Sequence, residues 1–211
     1  MKGVLFALSV GLCLSSTSAE VAYEPKEGDI LFQSLAHNPL IDAIEGSTRS
    51  PFSHCGIVTH SRRGWRVLEA IGPVQEIPLG HWIVQGREAK FAVYRLHKNL
   101  QPKVPDMLRA AREFLGRPYD IQYELDDAKI YCSELIYKAW KSATGEEMGK
   151  LVKLGQLDWK PHEAVIRAIA GELPLQRLMI TPRDLAAAHQ LKQVLPLLRH
   201  NIASAKVKQT R

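Results

Sequence analysis

The chain of 211 residues has little cysteine, three in all, and one of these, Cys13, falls in the first 19 residues. That scarcity excludes a small fold held together by disulfides and leaves Cys55 and Cys132 as the only thiols of the remainder. No apolar run approaches the roughly 20 residues that a membrane-spanning helix needs. Internal repeats and low-complexity linkers are absent too, which excludes solenoids and strings of modules. Basic residues exceed acidic ones, 28 to 22, but they are scattered, with no basic stripe studded with aromatics to suit nucleic acid. Metal-ligand clusters are equally scarce. His54 and His60 share strand parity, yet six residues of extended chain put them about 20 Å apart, beyond one coordination sphere. Asp126 and Asp127 lack the glycine-turned loop of a calcium site and read as loop carboxylates. No metal, cofactor or nucleic-acid partner is therefore expected.

What is present begins at the N-terminus. Lys2, the apolar run from Gly3 to Leu14 and the small residues Ser16-Thr17-Ser18-Ala19 form the pattern of a secretory signal peptide over residues 1–19, cleaved after Ala19. Leu12 is too bulky for Cys13 to be a lipid-attachment site. The expected location is periplasmic or secreted. Loss of Lys2 leaves 27 basic against 22 acidic residues in 20–211, a net charge of +5. A chain of that length forms a single domain with a core able to stand alone. The positive excess suits solubility and peripheral contact with an anionic cell wall or membrane surface. Lys206, Lys208 and Arg211 lie in a C-terminal tail, from about residue 201, expected to fray.

The periodicity divides the chain into strands first and helices after. Gly28–Gln33 reads as a strand, and Pro39–Glu45 as a helical turn ended by Gly46. His54–His60, the turn Ser61-Arg62-Arg63-Gly64 and Trp65–Ala70 form a hairpin. Val74–Ile77 and Lys90–Leu96 add further strands. From Val104 the period turns helical, with Met107, Ala110, Ala111, Phe114 and Leu115 on one stripe that Gly116 and Pro118 end. Helices follow from about Cys132, over Pro161–Ala170, and from the Thr181-Pro182-Arg183-Asp184 opening, whose Leu185, Ala188, Leu191, Leu195 and Leu198 are expected to dock a last helix on the body. The fold class is α+β, a small antiparallel sheet with packed helices.

Cys132 opens its helix with Leu135, Ile136, Ala139 and Trp140 on the same face, so its thiol points to the mouth of a core. Free N–H groups and the positive dipole end at a helix start favour the thiolate, the nucleophilic form of cysteine. A thiolate nucleophile needs a base, and His54 in Ser53-His54-Cys55-Gly56 is the candidate. Two cysteines in an oxidising compartment also suggest a Cys55–Cys132 disulfide on a non-catalytic scaffold. Strand alternation makes the two readings nearly exclusive, because neighbouring side chains point to opposite faces. If His54 faces Cys132, Cys55 is a packing residue whose truncation costs about 1 to 2 kcal/mol and leaves activity nearly whole.

Leu115-Gly116-Arg117-Pro118-Tyr119-Asp120 and Tyr131-Cys132-Ser133-Glu134-Leu135-Ile136-Tyr137 together resemble the nucleophile segment of NlpC-type papain-like cysteine hydrolases. Ser53-His54-Cys55-Gly56-Ile57-Val58, followed by Leu68-Glu69-Ala70 and Val74-Gln75-Glu76-Ile77-Pro78-Leu79, resembles their histidine hairpin. Here the histidine comes before the cysteine, which is similar to the circularly permuted YiiX/YebB-like branch, whose members also carry a Gly-Asp-Ile-Leu strand upstream. The resemblance covers about Lys26 to Ala143 and the Thr-Pro-Arg-Asp helix start. It implies a permuted papain-like fold and a secreted hydrolase that cleaves amide bonds, with esters the secondary option, through an acyl-enzyme. The substrates it implies are cell-envelope peptides or acylated lipids and amino acids.

By that resemblance Cys132 is the nucleophile and His54 its base. Glu69 is the orienting group, expected within about 3.5 Å of one His54 ring nitrogen while the other faces the sulfur. Tyr119 is a candidate oxyanion donor together with the Cys132 backbone N–H. Tyr131 departs from the aspartate often found before the cysteine, which bears on substrate contacts. Tyr137 is expected on a groove wall and Trp140 in the core.

Overall fold

A computed structural model describes residues 22–200, so the signal-peptide and frayed-tail expectations lie outside the described residues. In chain order the elements are β1 (Ile30–Gln33), α1 (Pro39–Thr48), β2 (His54–Ser61), β3 (Gly64–Ala70), β4 (Val74–Pro78), α2 (Leu79–Gln85) and β5 (Lys90–Leu96). Then follow α3 (Val104–Arg112), α4 (Cys132–Thr144), β6 (Val152–Lys153), α5 (Glu163–Ala170), β7 (Leu178–Met179), α6 (Pro182–Ala186) and β8 (Leu191–Arg199). Six antiparallel strands form one sheet in the order β4-β3-β2-β1-β5-β8, and β6 pairs with β7 separately. The class is α+β.

Side-chain alternation gives the sheet two covered faces. Ile30, Phe32, Cys55, Ile57 and Leu68 point to α3 and α4, while Leu31, Val58, Val67 and Val93 point to Trp82 and Ile83 of α2. Because both faces are buried, β1 is apolar almost without interruption, as strands covered on two sides are. Asp29, just ahead of β1, is fully buried and takes both nitrogens of the Arg95 fork, Nε at 2.6 Å and Nη2 at 2.8 Å. That bidentate pair ties the start of β1 to β5, so the Asp of the Gly-Asp-Ile-Leu strand anchors the sheet.

Two expectations are corrected. The α1 helix continues through Gly46 to Thr48, because that glycine is there for clearance: a Cβ at position 46 would collide with the His162 ring. The expected last helix stops at Ala186, and residues 191–199 form strand β8 along the free edge of β5. Pro196 decides the outcome. Inside a helix it would remove a hydrogen bond and clash with the preceding turn, at a cost of about 3 kcal/mol. On an edge strand it is accommodated at an irregularity, and the β5–β8 register slips between Phe91 and Val93, where Pro196 lies opposite.

α4 has the apolar stripe expected of it, with Leu135, Ile136, Ala139 and Trp140 fully buried against β2 and α3. Each large side chain of that set contributes about 1.5 to 3 kcal/mol by leaving water. Gly145, in the left-handed region at φ 79°, ends the helix. Tyr137 is also buried, with its hydroxyl donating to Glu147 at 2.7 Å, and is therefore part of the body and not a groove wall.

Candidate active site

The hairpin register decides which residues meet His54. Gly56 pairs with Glu69 across β2 and β3, so Glu69 lies diagonally from His54 and on the same face. His54 Nε2 donates to Glu69 Oε2 at 2.7 Å, and both side chains are sealed from water. The other Glu69 oxygen accepts from Gln75 Nε2 at 3.1 Å, from the residue that pairs with it on β4. In the sequence Gln75 falls within the histidine-hairpin resemblance but has no role assigned to it. The His54 ring stacks on Trp82 at 5.9 Å between centroids. Gly56 permits this close layer, since a Cβ there would strike Val67 and crowd the Trp82 ring. With Nε2 committed to Glu69, Nδ1 is the nitrogen left for the sulfur.

Cys132 begins α4 at the end of the sheet where β2 starts. Burial opposes its ionisation, but the Cys55 thiol foremost, the His54 ring and the Cys55 backbone N–H all stabilise the thiolate and hold its pKa well below the usual thiol range. Burial lowers the His54 pKa, yet the Cys132 sulfur and the Glu69 carboxylate outweigh it and raise the imidazole to about 9. The two shifts have opposite signs and share one contribution, the mutual attraction of thiolate and imidazolium, to which Cys55 adds on the sulfur and Glu69 on the ring. Burial pushes the Cys55 thiol up, and the neighbouring sulfur pushes it further.

The expectation that His54 and Cys55 exclude one another at Cys132 is corrected. Alternation holds within the strand, with Cys55 in the cluster around α4 and His54 against Trp82. The sulfur, however, lies at the first residue of β2, where the His54 ring and the Cys55 thiol and N–H all act on it. Both cysteines are free thiols and no disulfide joins them. Cys55 is thus part of the electrostatics of the site. Iodoacetamide at about pH 6 should alkylate Cys132 and spare Cys55, as read by peptide mass spectrometry, since only the former is held as thiolate. Cys55→Ala should move the pH of half-maximal Cys132 alkylation upward; equal labelling of the two cysteines would contradict the assignment.

Tyr119 stands near enough to Cys132 to feel its charge. Ile130 N–H donates to Pro118 O at 3.0 Å, closing an excursion of residues 119–129 directly ahead of α4. Within it the Tyr119 and Tyr123 hydroxyls meet at 3.2 Å, with the rings edge to face. Burial raises both phenol pKa values and the nearby Cys132 charge adds to the effect, so both keep their protons. Tyr123 holds φ 58°, a left-handed conformation unfavourable for a bulky residue. Asp120 Oδ1 accepts from the Gln122 N–H at 3.0 Å and Arg177 donates to Gln122 O at 2.7 Å, which fixes the strained loop. No sequence pattern distinguishes Tyr123 from an ordinary loop tyrosine.

The model of the family described as "Permuted papain-like amidase enzyme, YaeF/YiiX, C92 family" matches residues 24–195. The chain is 32% identical over 198 residues to the uncharacterized protein YiiX of Escherichia coli K12, covering 92% of this chain and 96% of that one. A crystal structure of YiiX from Escherichia coli O157:H7 is similar with a TM-score of 0.78 at 30% identity, covering 83% of this chain and all of that one. That relative is described as a metalloprotein. Among the described residues here, no three His, Cys, Asp or Glu side chains converge on a common point that would hold an ion.

Proposed function

Because the chain belongs to the permuted papain-like amidase family, we propose that it is a cysteine hydrolase that opens amide bonds, and secondarily esters, through a thioester on Cys132. The observation that carries this reading is the buried His54 imidazole, bonded at 2.7 Å to Glu69 on one nitrogen with the lowered Cys132 thiol on its other side. The thiolate attacks the substrate carbonyl. The developing oxyanion is met by the Cys132 backbone N–H at the helix start and by a phenol proton from the Tyr119–Tyr123 pair, of which the mutual hydrogen bond uses only one. His54 gives its proton to the leaving amine, the C–N bond breaks, and the acyl group remains on sulfur. The neutral imidazole then takes a proton from water, which attacks the thioester and restores the thiolate. Glu69, steadied by Gln75, holds the ring and stabilises its positive form. No step calls for a metal.

The N-terminal pattern of residues 1–19 supports action outside the cytoplasm, on envelope-derived substrates. Mixing the protein with an activated ester such as p-nitrophenyl acetate at about pH 6 and quenching in acid should yield one acetyl group on the Cys132 peptide. Acetylation elsewhere, or none, would remove the covalent mechanism.

A further inference from the structure

Cys55 makes and breaks no bond in the hydrolytic cycle, yet its thiol is the one that touches the nucleophile. It lies in β2 with its side chain in the buried cluster around α4, the helix that Cys132 opens. Cys55 is wholly buried and Cys132 nearly so. The Cys132 sulfur accepts from the Cys55 thiol and also from the Cys55 backbone N–H. A sulfur in contact with both the thiol and the main chain of residue 55 leaves only its own side-chain arm between the two backbones, which is the reach that a disulfide requires. Neither cysteine sits on a loop. β2 is paired on both sides, by β1 and by β3, and α4 runs for 13 residues. The contact is thus fixed by regular structure, and both residues rest there as thiols.

The two sulfurs are chemically unequal. Cys132 is held as thiolate beside the His54 imidazolium, while burial and the neighbouring charge keep Cys55 protonated. A thiolate also attacks the oxygen of a hydroperoxide, and cysteines with a lowered pKa are the ones so oxidised. At Cys132 the sulfur would form a bond to the terminal oxygen and the O–O bond would break. The departing alkoxide takes the His54 proton and leaves as alcohol, or as water when the oxidant is hydrogen peroxide. Sulfur has given two electrons to the peroxide and is now a sulfenic acid. The negative charge that kept the proton on Cys55 is gone. The Cys55 sulfur then attacks the sulfenic sulfur, the S–O bond breaks, and the hydroxide leaves with the Cys55 proton as water. An S–S bond of about 2.05 Å remains.

We propose that Cys132 is a site of reversible oxidation by hydroperoxides, with Cys55 as its resolving cysteine. This is not the structural disulfide of a non-catalytic scaffold. The bond forms only when an oxidant arrives, silences the nucleophile while it lasts, and blocks the irreversible passage of Cys132 to sulfinic acid. The test treats the full chain with a small excess of hydrogen peroxide, blocks the remaining thiols with N-ethylmaleimide and reads the peptides by mass spectrometry. Cys55 and Cys132, both free at the start, should be lost to alkylation together, in one cross-linked pair of peptides lighter by two hydrogens. Dithiothreitol should return both thiols. Acetylation of Cys132 by p-nitrophenyl acetate should vanish and return with them. In Cys55→Ala the sulfenic acid should persist long enough for dimedone to capture it, and longer exposure should add two oxygens to Cys132 that dithiothreitol does not remove. Cys55→Ser serves if the first variant does not fold. Wild-type protein in which Cys132 gains oxygens while Cys55 still alkylates would overturn the proposal, as would a Cys132 bridge between two chains or no oxidation of either thiol. Full reversal by dithiothreitol in the absence of Cys55 would overturn the resolving role. The mass readout needs no turnover, so its outcome is separate from that of the hydrolase reading.

Discussion

Cys132→Ala is expected to abolish hydrolysis, lowering kcat by about six orders of magnitude, as loss of a nucleophile does in other acyl-transfer enzymes, while the fold survives. The fold should survive because the side chain adds little to packing. The residues that anchor α4 are Leu135, Ile136, Ala139 and Trp140, all fully buried and all untouched by the change. The substitution also removes a buried thiolate, whose desolvation the native protein offsets with His54 and Cys55. Alanine needs no such partner, so the thermal midpoint should move by no more than a few degrees. Steady-state assay on the best amide or ester, with circular dichroism as the fold control, checks both halves. Retention of more than about a thousandth of the activity in a protein free of wild-type contamination would show that the sulfur is not the attacking atom.

Much of this site is legible from the chain because its parts are local. A two-residue parity rule puts His54 and Glu69 on one face once the Ser61–Gly64 turn closes the hairpin, and the structure has the bond at 2.7 Å. A helix periodicity aims Cys132 at the core, and it is buried there. The same reasoning misleads over Cys55, since parity rules describe the interior of a strand and the sulfur meets β2 at its first residue. The parts that Gln75 and Tyr123 play are missed for another reason. Gln75 meets Glu69 only through the register of the neighbouring strand, and Tyr123 owes its position to a loop that Arg177, far along the chain, fastens.

The fold divides along the same line. Strands β2 to β5 carry their own signal, with β-branched and aromatic residues bounded by turns. β8 does not, because Leu191, Leu195 and Leu198 fit a helical period as well as an edge strand. Only the free edge of β5, about half the chain away, together with Pro196, selects the strand. Gly46 likewise looks like a helix stop until His162 arrives beside it. Local rules thus locate Cys132 and His54, and the later segments, which complete the sheet, depend on contacts at long range.

Glu69→Gln tests how the carboxylate acts, and its signature lies in the pH profile more than in the rate. The shape is nearly conserved, and the Gln75 contact can turn to an amide oxygen, so folding should persist. The rate should fall by about two to four orders of magnitude, as it does when an orienting carboxylate is replaced by its amide in a comparable triad. A purely structural role would lower the plateau and leave the limbs where they are. An electrostatic role moves them in a defined direction. His54 is raised to about 9 by the Cys132 sulfur and by Glu69 together. While that holds, the imidazolium needed to protonate the leaving amine persists up to about pH 9, and activity declines only above it. Removing the carboxylate takes away one of the two supports, so the alkaline limb should shift toward neutrality. A less stable imidazolium stabilises the thiolate less, so the acid limb should move upward at the same time. The profile therefore narrows from both sides, as measured by kcat/KM between about pH 4 and 10. Limbs that stay fixed under an undiminished plateau would take Glu69 out of the mechanism and leave Cys132 and His54 to act as a pair.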